Sequence, residues 1–540
     1  MHRNQSVSTH NFAMVPRADI PRSGFSIESS YKTTFDAGYL YPIYVEEVLP
    51  GDTFNLKATM FARLATPIVP IIDNLYLESF FFFVPNRLVW DNWQKFMGER
   101  TAPNSTIDYT VPQIGSPING FPERSIYDYM GIPGVGQIAL GSAIAVNALP
   151  LRAYNLIWNE WFRDENLQDP APIYTNDASE EYNVYGLLRR GKRHDYFTSC
   201  LPWVQKGDSV MLPLGTTAPV KTASASQITG VQNALQWRET SAGNLVSNSG
   251  TIGIGASSQP VYNASGITGV VGNLYPANLF ADLSEATAST INQIRQAFQI
   301  QKLLERDARG GTRYTELVRS HFGVISPDAR LQRPEYLGGG RTPVNISAIA
   351  QTSATDTDVT PLGTLSAYGT ALAHGHGFTQ SFTEHGHVIG LISVRADLNY
   401  QQGLHRMWSR QTRYDFYWPV FSHLGEQAVL KREIYATGDS EDDDVFGYQE
   451  RWAEYRFKPS LITGILRSTS SAPLDVWHLA QHFEAPPTLN STFIQDDPPI
   501  ERIIATTEQT GQQFVLDVFF RNKAVRPLPM YSVPGLVDHF

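Results

Sequence analysis

The stretch from Asp73 to Gly98, DNLYLESFFFFVPNRLVWDNWQKFMG, decides the fold of this 540-residue chain. Leu75, Leu77, Phe81 and Phe83 alternate on one side with Ser79 among them, while Tyr76, Phe80, Phe82 and Val84 fall on the other with Glu78. Period-two spacing with large apolar side chains on both faces is the pattern of a strand covered on both sides. Pro85 has no amide hydrogen to give a ladder, so the strand stops there. Asn86 then caps a predicted helix with Leu88, Trp90, Trp93, Phe96 and Met97 along one side, and Gly98 ends it. Four consecutive phenylalanines at an open sheet edge would invite aggregation. They are therefore expected to be covered, by the rest of the chain or by another copy of it.

Upstream, Thr53–Leu64 alternates Phe54, Leu56, Ala58, Met60, Ala62 and Leu64 with polar partners, which predicts a half-buried strand. Residues 1–37 read as an N-terminal arm of Ser, Thr, Arg and Pro with isolated apolar residues. Downstream, 87–195 reads as a helical and loop insertion. Its helix spans 147–165, with Tyr154, Ile157, Trp158, Trp161 and Phe162 on one face. Gly134-Val-Gly136 within it imitates a dinucleotide fingerprint, but no strand precedes it, so it reads as a loop. Composition changes at Thr216: from there to Leu283 the chain is mostly Ser, Thr, Ala, Gly and Asn, anchored by Trp237, Tyr262 and Tyr275. That is a long surface insertion. Helices are predicted after Thr290, with Ile291, Ile294, Phe298 and Leu304 on one face, and through Tyr314–Phe322. Strands return at 377–398, 414–420, 449–457 and 514–521. The segment 526–540 reads as a C-terminal arm whose prolines stop a ladder and whose apolar residues call for a groove, on its own barrel or on a neighbour. Hairpins without regular βαβ alternation make the chain mainly β. A single antiparallel jelly-roll domain over 38–525, carrying the insertions at 87–195 and 216–283, fits best.

Charged residues are 17% of the chain, aromatics 12%, and the net charge is −10. Such a balance suits a subunit that hides surface against partners, and it excludes wrapping nucleic acid by charge neutralisation alone. Cys200 is the only cysteine, so no intrachain disulfide forms and assembly in a reducing compartment is expected. No apolar run reaches the length of a membrane span, and the N-terminus lacks the apolar core of a signal peptide.

Chemistry-bearing patterns are few. Arg189, Arg190, Lys192 and Arg193 form a basic loop, read either as salt-bridged or as a DNA contact on an inner surface with Tyr196 or Phe197 stacking on bases. His374 with His376 and His385 with His387, beside Glu384, would each share a strand face and could hold a transition metal. A metal-dependent, cupin-like jelly-roll enzyme is thus the alternative function, although Glu384 follows His376 too distantly for that motif. His478-x-x-x-His482 has zinc-helix spacing without the glutamate that would serve as base. Asp439–Asp444 lacks the glycine and distal glutamate of a calcium loop. The reading is no enzyme, no cofactor and no metal site.

NLYLESFFFFVPNRLVWDNWQKFMGE, YNLIWNEWFRDENLQDP, LVRSHFGVISPDARLQRPEYLGG, FGYQERWAEYRFKPS and the closing YSVPGLVDHF resemble the F-type major capsid proteins of Microviridae, subfamily Gokushovirinae, over nearly the whole chain. The resemblance implies an eight-stranded jelly-roll barrel. It implies a homo-oligomer, a T=1 icosahedral shell around circular single-stranded DNA, in a virion assembled in the bacterial cytoplasm. Its implied partners are a small basic internal DNA-binding protein, a minor capsid (pilot) protein and a host receptor. It also implies a protrusion, a role that falls on 216–283 with Trp237, Tyr262 and Tyr275 as host-facing candidates.

Overall fold

The computed structural model describes residues 21–102, 104–204, 332–353, 361–505 and 511–531. Between 205 and 331 it describes 207, 210, 311, 323 and the strands and helices named below. The chain divides into two compact units, one of residues 1–204 with 325–540 and one of residues 205–324. Residues 1–20 and 532–540, the outer parts of the two expected arms, lie outside the described residues.

The first unit holds eight long strands: β1 Ser23–Phe35, β2 Tyr41–Val48, β3 Thr53–Leu64, β4 Leu75–Pro85, β5 Glu335–Ala350, β6 Leu365–Ser381, β7 Gly386–Ala396 and β8 Phe514–Arg526. They form one antiparallel sheet in the order β1-β8-β3-β6-β5-β4-β7-β2. The first strand pairs with the last, the second with the seventh, the third with the sixth and the fourth with the fifth. That nested pairing is a long hairpin rolled up on itself, which is a jelly roll. Two half-sheets result, β1-β8-β3-β6 and β2-β7-β4-β5, with one apolar interior between them.

The interior is filled by alternate residues of each strand. Phe54, Leu56, Met60 and Leu64 of β3 meet Leu75, Leu77, Phe81 and Phe83 of β4, Val388, Ile392 and Val394 of β7, and Phe514, Leu516, Val518 and Phe520 of β8. The opposite face of β4 and β7 carries Phe82, Val84, Ile389 and Leu391, and it is buried too. Its cover is the insertion after β4. Helix α1, Leu149–Trp161, places Tyr154, Ile157 and Trp158 there together with Trp90, Phe121 and Tyr127. The four-phenylalanine run is thus sealed on both sides within the chain. Arg152 of α1 is fully buried and ties this layer down through Glu180 (Nε–Oε1 2.7 Å) and the Val89 carbonyl (2.9 Å).

Several expectations change. Ser23–Phe35, read as part of an arm, is a full strand, with Ser23 opposite Arg526 and Phe35 opposite Phe514. The helix expected after Pro85 is a 3-10 turn at Asn86–Leu88 followed by a single turn at Trp93–Phe96. Pro85 takes the cap position and Asn86 is buried behind it. Tyr414–Val420 is not a strand but a pair of 3-10 turns, Arg413–Asp415 and Pro419–Phe421. β5, with three consecutive glycines, has the opposite history. A Cβ on Gly339 would lie 2.0 Å from the Ser79 carbonyl oxygen and one on Gly340 2.5 Å from the His376 ring. Glycine is what lets β5 approach β4 and β6 so closely.

The described residues of the second unit include three antiparallel strand pairs, Val220–Thr222 with Leu279–Ala281, Trp237–Glu239 with Leu274–Pro276, and Gly250–Ile254 with Pro260–Ala264. Each pair nests inside the last in sequence, as in an interrupted ribbon. Helices α2 (Ile291–Gly310) and α3 (Tyr314–Phe322) follow, joined around Gly311 at φ +93° and bridged by His321 and Asp307 at 2.6 Å. Phe298, expected on the packed face of α2, is 64% exposed. No helix among the described residues is long and apolar enough to cross a membrane.

Candidate functional site

The basic loop is held by its backbone before its side chains act. On one side Leu40 donates to Leu188 and Arg190 to Gly38; on the other Lys192 donates to Ile494 and Asp496 to Arg190. This lays the cations against the covered face of β4, where Glu78 collects them. Arg190 pairs with that carboxylate, and Arg395 (3.0 Å), Arg193 (3.5 Å) and Arg341 (3.6 Å) surround it. Burial pushes the Glu78 pKa up, but the Arg190 and Arg395 charges together outweigh it and hold the carboxyl below its usual range. Arg190 also lies 4.6 Å over the Phe80 ring, and burial pulls its pKa down to about 10. Lys192 is buried 4.4 Å over Phe493, its pKa lowered to about 8 by the same cause. Nearby, burial raises Asp496 to about 7. Arg193 pairs with Asp397 (2.5 Å). Arg189 pairs with Asp497 (2.9 Å) and stacks 4.3 Å over Tyr39. Each of the four expected DNA-contact cations therefore has a partner within the chain. Tyr196 and Phe197 are buried in a third apolar cluster, Tyr196 donating to Glu433 at 2.8 Å, so neither ring is open to stack on a base.

The histidine pairs do not share faces. A bulge between Ala373 and His376, with Gly375 at φ +75°, turns His374 to solvent and His376 inward. There the ring sits between Ser79 Oγ (2.8 Å) and Thr342 Oγ1 (3.0 Å). His387 is buried on the covered face of β7, while His385 lies edge-on to Trp93 and Glu384 pairs with Arg87. His478 follows a 3-10 turn, not a helix, with Nε2 2.6 Å from the Leu466 carbonyl oxygen. In the acidic loop, Asp439 and Asp442 accept from backbone amides of their own turn, and Asp443 and Asp444 pair with Arg432 and Lys431. Among the described residues, no three His, Cys, Asp or Glu side chains converge as metal ligands would.

A surface that the sequence did not flag lies between β7 and β8. Its turns are set by local polar bonds: Asp415 accepts from the amides of Gln411 and Thr412, and Pro419 opens the next turn. The indole N–H groups point inward, Trp418 to the Arg413 carbonyl and Trp452 to that of Phe421. The Trp418 ring is left outward, while the Trp452 ring is buried. Trp408 is 71%, Tyr414 67% and Val420 87% exposed, with Phe416, Tyr417 and Trp418 also exposed. Arg410 lies over Phe416 and Tyr455, and Arg413 over Trp418. Arginine with exposed Trp, Tyr, Phe and Met is the composition of a protein–protein contact centre. Aromatic richness with weak alternation was the available signal, and it reads equally well as a strand.

Of the protrusion candidates, Trp237 lies opposite Pro276 and Tyr275 opposite Arg238 on one strand pair of the second unit, and Tyr262 lies opposite Ile252 on another. The capsid protein (F protein) family matches residues 13–536. Three relatives span almost the whole chain, each named capsid protein VP1. The one of Bdellovibrio phage phiMH2K is 47% identical (98% of both chains) and that of Chlamydia phage 1 is 44% identical (98% of both). That of Spiroplasma virus 4 is 36% identical, over 98% of this chain and 97% of its own. A rolled eight-stranded barrel, a family match over residues 13–536 and end-to-end similarity to these three place the chain in one group: it belongs to the capsid protein (F protein) family of phages.

Proposed function

We infer that the chain is the structural subunit of a closed shell around a small phage genome. The family match over nearly its full length carries this reading, and the rolled barrel with its exposed aromatic surface supports it. In its fuller form the shell is a T=1 icosahedron around circular single-stranded DNA, assembled in the bacterial cytoplasm. A small basic internal protein supplies most of the neutralising charge, a reading that the net charge of −10 on this chain supports. A minor capsid (pilot) protein and a host receptor complete the partners. The protrusion at 216–283, with Trp237, Tyr262 and Tyr275, meets the host. Of the four loop cations, Arg189 is the one able to exchange its carboxylate for phosphate, because its partner Asp497 is 71% exposed.

The surface around Trp408 and Tyr414 is the proposed contact between copies. Electron microscopy of the purified protein tests the reading, with a Trp408→Ser/Tyr414→Ser variant beside it. Closed particles are expected from the natural chain and soluble folded subunits from the variant. Particles from both would move the contact elsewhere on the barrel. Particles from neither would overturn the shell reading.

A further inference from the structure

Among the described residues nothing covers the outer face of the β1-β8-β3-β6 half-sheet, and its side chains are not those of an idle surface. Along β3 the outward residues are Asn55, Lys57, Thr59, Phe61 and Arg63; along β8 they are Val515, Asp517, Phe519, Arg521, Lys523 and Val525. Phe61 is 45% and Phe519 41% exposed. Register puts Phe61 opposite Asp517 and Phe519 opposite Thr59, so the two rings are diagonal neighbours on one face. Leu372 of β6 extends the apolar strip beside Phe61.

Charge on this face is unbalanced. Lys32 pairs with Asp517 and Arg521 with Glu28, which uses every carboxylate that the outward positions of the four strands offer. Lys57, Arg63 and Lys523 have no ion pair among the described residues. Lys57 stands directly opposite Arg521, and Lys523 follows on the same side of β8. Like charges facing each other across a ladder destabilise it, so an anion laid over them is favoured. The chain as a whole carries a net charge of −10, against which this cationic face stands out. The chain's own N-terminal segment is a poor occupant. Residues 1–20 carry Arg3 and Arg17 against Asp19 alone.

We propose that this face binds single-stranded nucleic acid, with Lys57, Arg63 and Lys523 on phosphates and Phe61 and Phe519 as stacking surfaces for bases. Unpaired cations beside exposed rings are what a strand-tracking site combines, and only unpaired bases present a free ring to stack. The proposal rests on the shell reading for its biological setting and gives that shell an inner side.

The test is a fluorescence titration of the full-length soluble chain with labelled oligothymidine at several salt concentrations, with polyphosphate as an anion lacking rings. Lys57→Gln/Arg63→Gln/Lys523→Gln should flatten the slope of log affinity against log salt by about 0.7 per charge removed. Phe61→Ala and Phe519→Ala should each weaken oligothymidine by about tenfold and leave polyphosphate unchanged. Unaltered oligothymidine binding in both sets of variants overturns the proposal. Equal sensitivity of the two polyanions to the cations, with no effect of the ring variants, also overturns it, leaving a mere anion surface. Retained DNA binding with lost particle formation in the triple variant overturns it too, in favour of a contact between copies. Particle formation by the natural chain is scored separately, so a chain that binds DNA but builds no shell rejects the shell reading and not this one.

Discussion

In the β2-β7-β4-β5 half of the barrel the outward positions hold Phe80, Phe82, Val84, Ile389 and Leu391, and they lie under the layer built on α1. In the β1-β8-β3-β6 half they hold Lys57, Thr59, Arg63, Asp517 and Arg521, and they lie open. Inward positions are alike in both halves. What separates the halves is every second residue, and it decides where the insertion packs. An inserted layer has several buried aromatic and aliphatic side chains to gain on the first half, at about 1.5–3 kcal/mol each, and fewer on the second, where Phe61, Phe519 and Leu372 stand among charged residues. The jelly roll therefore has a clad side and an open side, chosen by strand composition before any partner arrives.

Breaking the cladding is expected to have the largest effect. Arg152→Ala leaves Glu180 buried without its cation, and the covering layer loses its tie to Val89. A cost of about 3–5 kcal/mol is expected for a broken buried pair, read as a lower denaturation midpoint of the purified subunit. The variant should also expose tryptophan fluorescence early, as the layer with Trp90 and Trp158 loosens first. A loss below 1 kcal/mol would show that the cladding contributes little to the barrel.

A pH experiment sharpens the same contrast at smaller scale. Burial on the clad face lowers the His387 pKa to about 4. The folded state thus binds this proton less readily than the unfolded chain, whose histidine titrates near the ordinary 6.5. Stability from this group is complete above pH 6.5 and is lost as pH falls from there through about 4. The loss amounts to about 3 kcal/mol. His387→Leu should remove that part of the acid slope, checked by denaturant titration of both proteins across the window. Parallel slopes would place the acid sensitivity elsewhere.

The smallest effect is expected on the open half. Lys32 and Asp517 form an exposed pair, and Lys32→Ala should change stability by no more than about 1 kcal/mol. A larger loss would mean that this face is already engaged in the isolated subunit.

Much of this contrast was legible in the residues. Continuous apolar spacing in β4 announced a strand covered twice, and strict alternation in β3 announced a strand covered once. The helix at 149–161 showed its aromatic face. Other features depend on contacts distant in sequence. Three glycines in β5 argue against a strand until Ser79 and His376 are seen pressing on them. The polar alternation of β1 becomes a strand because β8 lies beside it. Arg190 and Arg193 look like phosphate ligands until Glu78, more than a hundred residues earlier, is found beneath them. His374 and His376 look paired until one extra residue in the ladder turns them apart.

One feature of the sheet sets a timetable for the cell. β8 lies between β1 and β3, with Phe514 opposite both Phe35 and Leu64. The last of the eight strands to leave the ribosome is thus inserted between two of the first. Until residue 526 emerges, β1 has no ladder partner and β3 keeps an open edge, each a row of unpaired amides. Closure across so long a separation is slow compared with local folding. A chain released before Phe514 cannot finish its barrel, so the fold itself withholds a completed surface from abortive products. Only a polypeptide translated through β8 acquires the outline that its siblings recognise, so synthesis of that strand serves as inspection before assembly.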